Sequence, residues 1–539
     1  MQNAKGTAAK TTAQDRTPLD PPEPPPRRER LLEQALVFTF VMHALAMLAM
    51  ATLLLPTMPG GGVQDDALRI AAIAAHPWRF RLGWLPWQLT AVSDVLLGIG
   101  LLRARWVPRG PAVAAFVLTA LAVLPDQAAQ LVWITRGVDA AREAVLTGDP
   151  GEYLALERWM FAGTAAVGAT FYTLGGIAWC VCFARAGTWS RLLTAVSVPL
   201  YAIFLGVSVG PLLPPGLRPP ATLVAAGNAV GFVLLELWLA LVAEQVLRRS
   251  RPPSRHGRDA PWRHPAAGPV GRILDILAES RFVRALCEWL PVPAFRSDIR
   301  EVIYVNYLVP SSRLLPLVPE GLKLQRLGPR GEWALFTFLT YRHGHFGPRL
   351  LGPLRRLSPS PLQTNWRIHV EDPGTGHRGI TFVTNAITAT INALGARLMT
   401  EGMPMHVLQG GELRREPDGA IHLRLDPGQG SAPDAEAHLR VSAESALPAP
   451  WGECFSSFQE FLAYCVPQDR AMSTQPWWPR VTRQEIDLGI PLSVCERLEG
   501  EVISAAASAR VGDARALCFR VPGVAFLFSG EEHDPLPLA

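Results

Sequence analysis

The sequence predicts a two-part fold: an α-helical bundle that crosses a membrane six times, followed by a mainly β (α+β) domain in the cytoplasm. Two observations predict this division. Six long apolar segments fill the 539-residue chain before residue 248, whereas short runs of β-branched and aromatic residues, separated by Gly and Pro, follow residue 295. A chain of this length exceeds what one hydrophobic core usually organises, so at least two domains are expected.

Composition divides the chain further. The Pro- and Arg-rich start cannot bury a core, which is typical of a disordered tail. The first apolar run begins beyond this tail and is too long for a cleavable signal peptide. The predicted regions are a tail at 1–30, the six-helix domain at 31–247, a basic linker with an amphipathic helix at 248–294, the β domain at 295–530 and a tail at 531–539.

Each of the six apolar segments is long enough to cross a hydrocarbon layer of about 30 Å. Arginines are concentrated before the first segment, between the second and third, between the fourth and fifth, and after the sixth. Because positively charged flanks stay in the cytoplasm, we predict a multi-pass protein of the inner (cytoplasmic) cell membrane, with both termini cytoplasmic and the lipid bilayer as partner. The segments lie at about 35–57, 84–103, 111–135, 159–184, 192–213 and 221–247.

Four ionisable residues fall near the middle of four different segments: His43, Asp94, Asp126 and Glu236. Isolated charges at that depth are costly, so these residues are candidates for a proton or cation relay, or for the lining of a substrate site. The alternative is that the carboxyl groups are protonated and only form hydrogen bonds between helices. Both interpretations stay open.

The stretch from Val270 to Trp289 is amphipathic at helical spacing. It could lie on the membrane surface with its arginines at the lipid headgroups. Alternatively, it covers one end of the β domain, and we favour this interpretation.

From residue 298 onward the pattern alternates short strands with Gly and Pro turns. So many strands around so few helices predict a closed or nearly closed antiparallel barrel of about 240 residues. The expected helices lie near 387–400 and 455–464, and the expected strands near 303–310, 333–339, 365–370, 379–384, 405–415, 420–426, 436–443, 480–487, 499–507 and 515–521.

Several motifs carry a resemblance to a known group. They are the strand Tyr304–Pro310, the Leu-x-Pro-x-x-Pro-x-Gly-Leu turn at 314–322, the Asn-x-Arg strand at 364–370, the strand at 379–384 and the late helix containing Phe461 and Leu462. Together they resemble a group of uncharacterised bacterial proteins placed with the acetoacetate decarboxylase-like fold, a β-barrel that encloses a cavity. The resemblance covers about 295–530 and does not extend to the membrane half.

The resemblance implies a fold more than a reaction. Acetoacetate decarboxylase uses a lysine Schiff base. The only lysine in this domain is Lys323, near its beginning, which is not where that enzyme's motif would place it. We therefore expect no Schiff-base decarboxylation, and whether the protein is an enzyme stays open.

Alternation along the 364–370 strand places Asn365, Arg367 and His369 on one face and Trp366 and Ile368 on the other. If the polar set faces the interior, it offers a guanidinium, an amide and an imidazole, which suit a carboxylate or another planar anion. The alternative is that this face is simply solvated. The predicted ligand-binding residues are Asn365, Arg367 and His369, lined by Tyr304, Asn306, Phe336 and Phe338.

A metal site is a weaker candidate. Tyr341, His343 and His345 share one face if their strand persists, and with His369 they could form a three-histidine site. Exposed loop histidines are the alternative. The seven cysteines show no zinc spacing, and the domain contains no nucleophile, phosphate-loop or dinucleotide motif, so we assign no metal and no cofactor.

These observations support three hypotheses. In the first, the cytoplasmic β-barrel of a multispanning protein binds a small anionic or amphiphilic molecule. In the second, the bundle is a transporter or proton-coupled sensor that uses the midplane acidic residues, and the barrel regulates it. In the third, the protein is an enzyme acting on a lipid-soluble substrate. The net charge of +5, without an arginine stripe, predicts no nucleic-acid partner, and no oligomeric state is predicted.

Overall fold

The computed structural model describes residues 27–61, 65–251, 261–444, 446–466, 470–475, 477–487 and 489–536. Most of the predicted N-terminal tail and part of the predicted linker lie outside these ranges. Within them, a helical first half is followed by a second half built on one large sheet.

The first half contains six helices that are long and apolar enough to cross a membrane, and they coincide with the six predicted segments. The longest has 39 residues, a length of about 58 Å, so it extends beyond what crossing requires. A shorter helix precedes the second of them. The helices are α1 (Arg27–Ala49, continued by π and 3₁₀ turns to Thr57), α2 (Asp66–Ala75), α3 (Pro77–Arg103), α4 (Arg109–Thr147), α5 (Gly151–Phe161, joined by a π turn to α6), α6 (Ala169–Arg185), α7 (Arg191–Val209) and α8 (Ala221–Ser250).

Two short helices, α9 (Pro269–Glu279) and α10 (Arg281–Cys287), lie between the halves. Glu244 of α8 accepts hydrogen bonds from the hydroxyl of Ser280 (2.9 Å) and the amide of Phe282 (2.9 Å). On the other side, Ala278 belongs to an apolar cluster with side chains of the sheet domain. The amphipathic stretch therefore joins the bundle to the sheet domain, in addition to covering part of that domain as predicted.

The second half contains sixteen strands and four helices in the part that the structure describes. The strands are β1 (Phe295–Ile299), β2 (Val302–Pro310), β3 (Lys323–Leu324), β4 (Trp333–Arg342), β5 (Gly347–Pro348), β6 (Leu362–Glu371), β7 (Arg378–Ile387), β8 (Met405–Val407), β9 (Gly410–Arg415), β10 (Ile421–Asp426), β11 (Ala435–Val441), β12 (Arg470–Gln475), β13 (Trp478–Asp487), β14 (Glu496–Ile503), β15 (Ala516–Val521) and β16 (Val524–Pro535). The helices are α11 (Ser311–Leu314), α12 (Thr390–Met399), α13 (Phe458–Cys465) and α14 (Ala505–Val511).

All the described strands form one sheet in the order β5-β1-β16-β13-β12-β7-β6-β4-β2-β15-β14-β11-β10-β9, with β3 beside β6 and β8 beside β7. Every pairing is antiparallel except those of β7 with β8 and with β12. The order has two ends, so the hydrogen bonding does not close into a complete ring. The large antiparallel sheet is as predicted, and complete closure is not observed.

Each face of this sheet buries its own core. One core contains Phe338 and Trp366 and is covered by α14. The other contains Tyr304 and Phe519 and is covered by α13. The central strands β2, β4 and β6 are buried on both faces; the sequences of β2 and β4 are mostly apolar, whereas β6 alternates apolar with polar residues.

Three boundaries differ from the prediction. The segment predicted as a tail at 531–539 contributes its first five residues to β16. The strand predicted at 405–415 is divided into β8 and β9, and the strand predicted at 499–507 ends at Ile503, where α14 follows. Strands β1, β5, β12 and β16 were not predicted.

Candidate functional site

The candidate site is built on the polar face of β6. Asn365, Arg367 and His369 are all buried, with exposures of 7%, 4% and 1%. The polar set therefore faces the interior, and the alternative of a solvated face does not hold.

Arg367 makes one hydrogen bond, from Nη2 to the carbonyl oxygen of Cys465 at 3.2 Å, and its guanidinium carbon lies 5.5 Å from the ring centre of Tyr304. Its Nε is buried without a partner. Among the described residues, no carboxylate lies within 4.0 Å of this guanidinium. A buried charge without a counterion is costly, so this arrangement needs an explanation.

The groups around Arg367 are also neutral. Burial lowers the pKa of His369 to about 3, and Arg367 lowers it further, whereas nearby backbone carbonyls oppose the shift. Burial raises the pKa of the Tyr304 hydroxyl to about 12 and that of the Cys465 thiol to about 11, although Arg367 lowers both. None of these side chains supplies a negative charge near pH 7.

A hydrogen-bond chain holds the amide of Asn365 in place. Gln363 donates from Nε2 to Asn365 Oδ1 (2.8 Å), and Asn365 donates from Nδ2 to the hydroxyl oxygen of Tyr341 (3.1 Å). Because Gln363 Oε1 lies 2.8 Å from His343 Nε2, that nitrogen carries the proton, and His343 Nδ1 accepts from Ser297. Tyr341 therefore retains its own proton for donation to a further acceptor.

A small cavity of about 30 Å³ lies against these groups. Its polar lining comes from Tyr304, Tyr341, Asn365 and Arg367. Apolar side chains of six strands and the loop after β13 complete the wall: Ile299, Val302, Leu339, Phe382, Ile486, Ile490, Val524 and Phe526. The cavity holds one or two waters or a group of similar size.

The structure corrects part of the predicted lining. Phe336 and Phe338 point to the opposite face, where Phe338 stacks on Trp366 at 4.5 Å, because they lie across from even-numbered residues of β6. Asn306 is on the correct face, but its amide is used by Thr337, Leu517 and Cys465.

His369 stacks on Tyr464 of α13 at 5.1 Å, beside the cavity and not on its wall. The site therefore consists of Tyr304, Asn365 and Arg367 from the prediction. Tyr341 joins them, although the sequence suggested it only as part of a metal site.

The suggested three-histidine metal site is not formed. His343 is buried with both ring nitrogens hydrogen-bonded, and burial lowers its pKa to about 4. His345 lies in an exposed turn with a φ of 53°, and His369 packs on α13. Lys323 is exposed on β3 and lines neither of the two cavities described here.

In the helical half, two of the four midplane residues lie against each other, and Asp126 has other partners. His43 Nε2 lies 4.0 Å from Asp94 Oδ1, and His43 Nδ1 lies 3.0 Å from the carbonyl of Thr39. Asp126 accepts hydrogen bonds from Gln127, Gln130 and Tyr172. No hydrogen bond or ion pair joins Glu236 to the other three, and both of its carboxyl oxygens are buried without a partner among the described residues.

A larger cavity of about 720 Å³ lies where the helices meet the sheet. Its lining includes Arg30, Glu33, Arg251, Glu288, Trp289 and Trp478. Arg251 forms ion pairs with Glu33 (3.0 Å) and Glu288 (2.9 Å). Unlike Arg367, this arginine already has carboxylate counterions.

Comparison with known proteins gives matches to the second half. Residues 296–488 match the family model DUF2071, described as an uncharacterized conserved protein. No curated protein matches the chain. The family match lies within the residues on which the sequence resembles a group of uncharacterised proteins.

Three similar solved structures each have a TM-score of 0.32. Two are the enduracididine biosynthesis enzyme MppR, with HEPES buffer bound (16% identity, 46% of this chain and 90% of that chain) and complexed with pyruvate (15%, 45% and 90%). The third is an acetoacetate decarboxylase-like enzyme from Sphingomonas wittichii RW1 (10%, 45% and 94%).

Proposed function

We propose that this protein crosses a membrane six times and that its sheet domain, in the cytoplasm, binds a small carboxylate or a planar anion of similar size beside Arg367. The observation that carries the binding proposal is a buried guanidinium without a carboxylate partner. The membrane proposal rests on the outer surface of the helices and on the distribution of arginine.

Large apolar side chains cover the outside of the six long helices. Leu124, Val198 and Leu223 are 69%, 66% and 61% exposed. An apolar surface of this extent is unfavourable in water and is expected where lipid surrounds the helices.

The arginines lie together at one end of this bundle. Arg249 of α8 donates to the carbonyl of Ala186 in the α6–α7 turn (3.3 Å) and lies 4.9 Å from the ring of Trp106 in the α3–α4 turn. The two turns and the end of α8 therefore share one side of the bundle, with Arg105 and Arg191 beside them. An excess of arginine is typical of the cytoplasmic side.

Helix α9, which lies next to this end through α10, supports the same orientation. Its residues Val270, Ile273 and Ile276 form an exposed apolar stripe, with Arg272 beside it. A helix of this kind is typical of a membrane surface, with apolar side chains in the headgroup region.

The chemistry of the cavity favours a carboxylate. Arg367 presents a planar set of N–H donors, which pairs with the two oxygens of a carboxylate. The Tyr341 hydroxyl adds a donor on the same wall. The volume of about 30 Å³ limits the ligand to a short chain unless the apolar wall moves.

The test uses the purified full-length chain in detergent and measures the melting temperature against formate, acetate and butyrate. We expect formate and acetate to raise the melting temperature of the wild type, and butyrate to act more weakly. Arg367→Met should show no shift. Arg378→Met, which removes an exposed arginine, is the control with the same change of charge.

Equal shifts in the wild type and in Arg367→Met would overturn the assignment of the site. So would the absence of a shift with all three anions, provided that the wild type is folded.

A second candidate function, proton-coupled transport or sensing, rests on the His43–Asp94 pair. Because His43 Nδ1 faces a carbonyl oxygen, that nitrogen carries a proton, and Nε2 of the neutral ring then presents a lone pair to Asp94. Two lone pairs facing each other are unfavourable, so a proton on either group is required. The pair can therefore hold and release one proton inside the bundle.

This candidate is tested in liposomes that contain a pH-sensitive dye. We expect the wild type to increase proton flux under a potassium-driven voltage and Asp94→Asn to abolish the increase. Asp139→Asn, in an exposed part of α4, should behave as the wild type. Flux that does not exceed that of empty liposomes, or that persists in Asp94→Asn, would contradict the candidate.

A further inference from the structure

Two histidines and two glutamates meet on the exposed face of the strands β9 to β11. His422 lies directly across from His438 in the antiparallel pair of β10 and β11, and their rings are 4.6 Å apart. Glu436 is two residues before His438 and therefore shares its face. Glu412 reaches the group from β9. None of the four lines either cavity described above.

The potential ligand atoms converge on one point. Nε2 of His422 lies 3.8 Å from Glu436 Oε1, and Nε2 of His438 lies 3.5 Å from the same oxygen. One ligand atom from each of the three side chains lies within 4.8 Å of the others. Ligand atoms around a tetrahedral Zn²⁺ are separated by about 3.3 Å, so small side-chain rotations bring the three into coordination distance.

We propose that His422, His438 and Glu436 bind a divalent transition-metal ion such as Zn²⁺. Two imidazoles and one carboxylate form a ligand set that suits zinc, copper or nickel better than calcium or magnesium. Glu501 lies directly across from His438 on β14 and offers a carboxylate for a fourth position, which water can also fill.

The surroundings of His422 strengthen the proposal. Its Nδ1 is buried without a hydrogen bond, and the closest charged group is Glu412 Oε2 at 3.8 Å. A histidine that binds a metal through Nε2 commonly donates from Nδ1 to a carboxylate, which fixes the ring and increases its basicity. Glu412 is placed for this role, and His422 is the more buried of the two histidines.

The arginines on the same face pair with carboxylates other than Glu436, and one of them shares Glu412 with His422. Arg414 pairs with Glu412 and with Glu416, at 3.1 and 2.9 Å. Arg424 is placed 3.6 Å from Asp426. The remaining cation, Arg440, pairs with Asp418 at 2.6 Å on the same face. Each arginine therefore has a carboxylate partner, and Glu436 remains directed at the two histidines.

A bound ion would link β10 to β11, so binding should also stabilise the domain. Because both imidazoles must be unprotonated to bind, affinity should fall as the pH decreases below the usual histidine range.

The experiment measures Zn²⁺ binding to the full-length chain by isothermal titration calorimetry at pH 7.5, after treatment with a chelator. We expect one Zn²⁺ per chain and an increase in melting temperature. His438→Ala and His422→Ala should each lower the affinity at least tenfold, and Glu412→Gln by a smaller factor. His345→Ala, which removes an exposed histidine elsewhere, should bind as the wild type.

A Co²⁺ titration adds a second readout, because coordination by these ligands produces a visible absorption band that is lost in His438→Ala. The proposal is overturned if the wild type binds no Zn²⁺ below about 100 μM or if both histidine variants bind as the wild type. His438 is mostly exposed, so its variant is expected to fold. The melting temperature of each variant without metal checks this.

Discussion

At the scale of single residues, His369 shows how burial and a nearby cation change a side chain. The side chain is 1% exposed, and its ring stacks on Tyr464. Burial, reinforced by Arg367, lowers its pKa to about 3. The side chain is therefore a neutral ring in the folded protein over the whole physiological range.

Because the pKa of His369 differs between the folded and unfolded states, the stability of the protein depends on pH. In the unfolded chain, the His369 side chain has the ordinary histidine pKa of about 6.5. Below that pH the unfolded state binds a proton that the folded state does not bind. The stabilising contribution is complete above pH 6.5 and is lost as the pH falls toward 3. At pH 5 the loss is about 2 kcal/mol for His369.

We therefore predict that His369→Phe loses less stability than the wild type between pH 7.5 and pH 5. The phenyl ring keeps the stacking and cannot be protonated. The difference should correspond to about 4–8 °C in the change of melting temperature. His345→Asn, an exposed control at a positive φ that Asn tolerates, should follow the wild type. Identical pH profiles for His369→Phe and the wild type would contradict the prediction.

The sequence was sufficient to predict which residues of β6 share a face, because alternation is a local property. It was not sufficient to predict what lies opposite them. Thr337, and not Phe336, is the β4 partner of Arg367, and this register depends on how two distant strands pair. Tyr341 was missed as a cavity residue for the same reason.

At the scale of elements, the two faces of β6 have different roles: one packs in a core and the other faces the cavity. Trp366 is fully buried in the core under α14, where it stacks on Phe338 and donates a hydrogen bond to Thr364 at 3.1 Å. Arg367, the next residue, faces the cavity under α13. One face should therefore determine stability and the other anion binding.

We predict that Trp366→Ala destabilises the sheet domain by about 3–5 kcal/mol, because it leaves a large cavity in a packed core. Trp366→Phe should cost less, since it keeps the aromatic contact. Arg367→Met should be neutral or stabilising, because it removes a buried charge without a counterion. Thermal unfolding of the three variants is the measurement, and a destabilisation by Arg367→Met as large as that by Trp366→Ala would contradict the separation.

Elements were missed where their stability comes from distant partners. The acidic end of β16 resembles a tail in sequence, yet Arg483 of β13 pairs with Asp534 at 2.7 Å and with Glu532 at 3.6 Å. Helix α14 begins where a strand was predicted because Ser504 caps it, accepting from the amide of Ala507 at 2.9 Å. The cap could have been recognised from the sequence, whereas the cross-strand pairs could not.

At the scale of the whole molecule, the helical and sheet halves are joined by charged and aromatic side chains at the end of the bundle. Arg30 of α1 lies 4.3 Å from the ring of Trp478 on β13 and donates to the carbonyl of Trp477 at 3.2 Å. Phe38 of α1 stacks on Trp289 after α10. The proton-coupled candidate requires a contact of this kind between the bundle and the sheet.

The buried ion pairs of Arg251 test how strongly this junction is coupled. Arg251→Ala leaves Glu33, which is 5% exposed, without its counterion, so we predict a loss of about 3–5 kcal/mol. The double variant Arg251→Ala/Glu33→Gln should recover part of this loss, because the uncompensated charge is removed. Arg248→Ala breaks an exposed pair with Glu244 one turn away and should cost less than about 1 kcal/mol.

The measurement is thermal unfolding in detergent, arranged as a double-mutant cycle of Arg251 and Glu33. Additive effects of the two single variants would show that the pair does not couple the last helix of the bundle to the first. A large non-additive term, together with a small effect of Arg248→Ala, would show that this buried pair, and not the arginine-rich end in general, holds the end of α8 to α1.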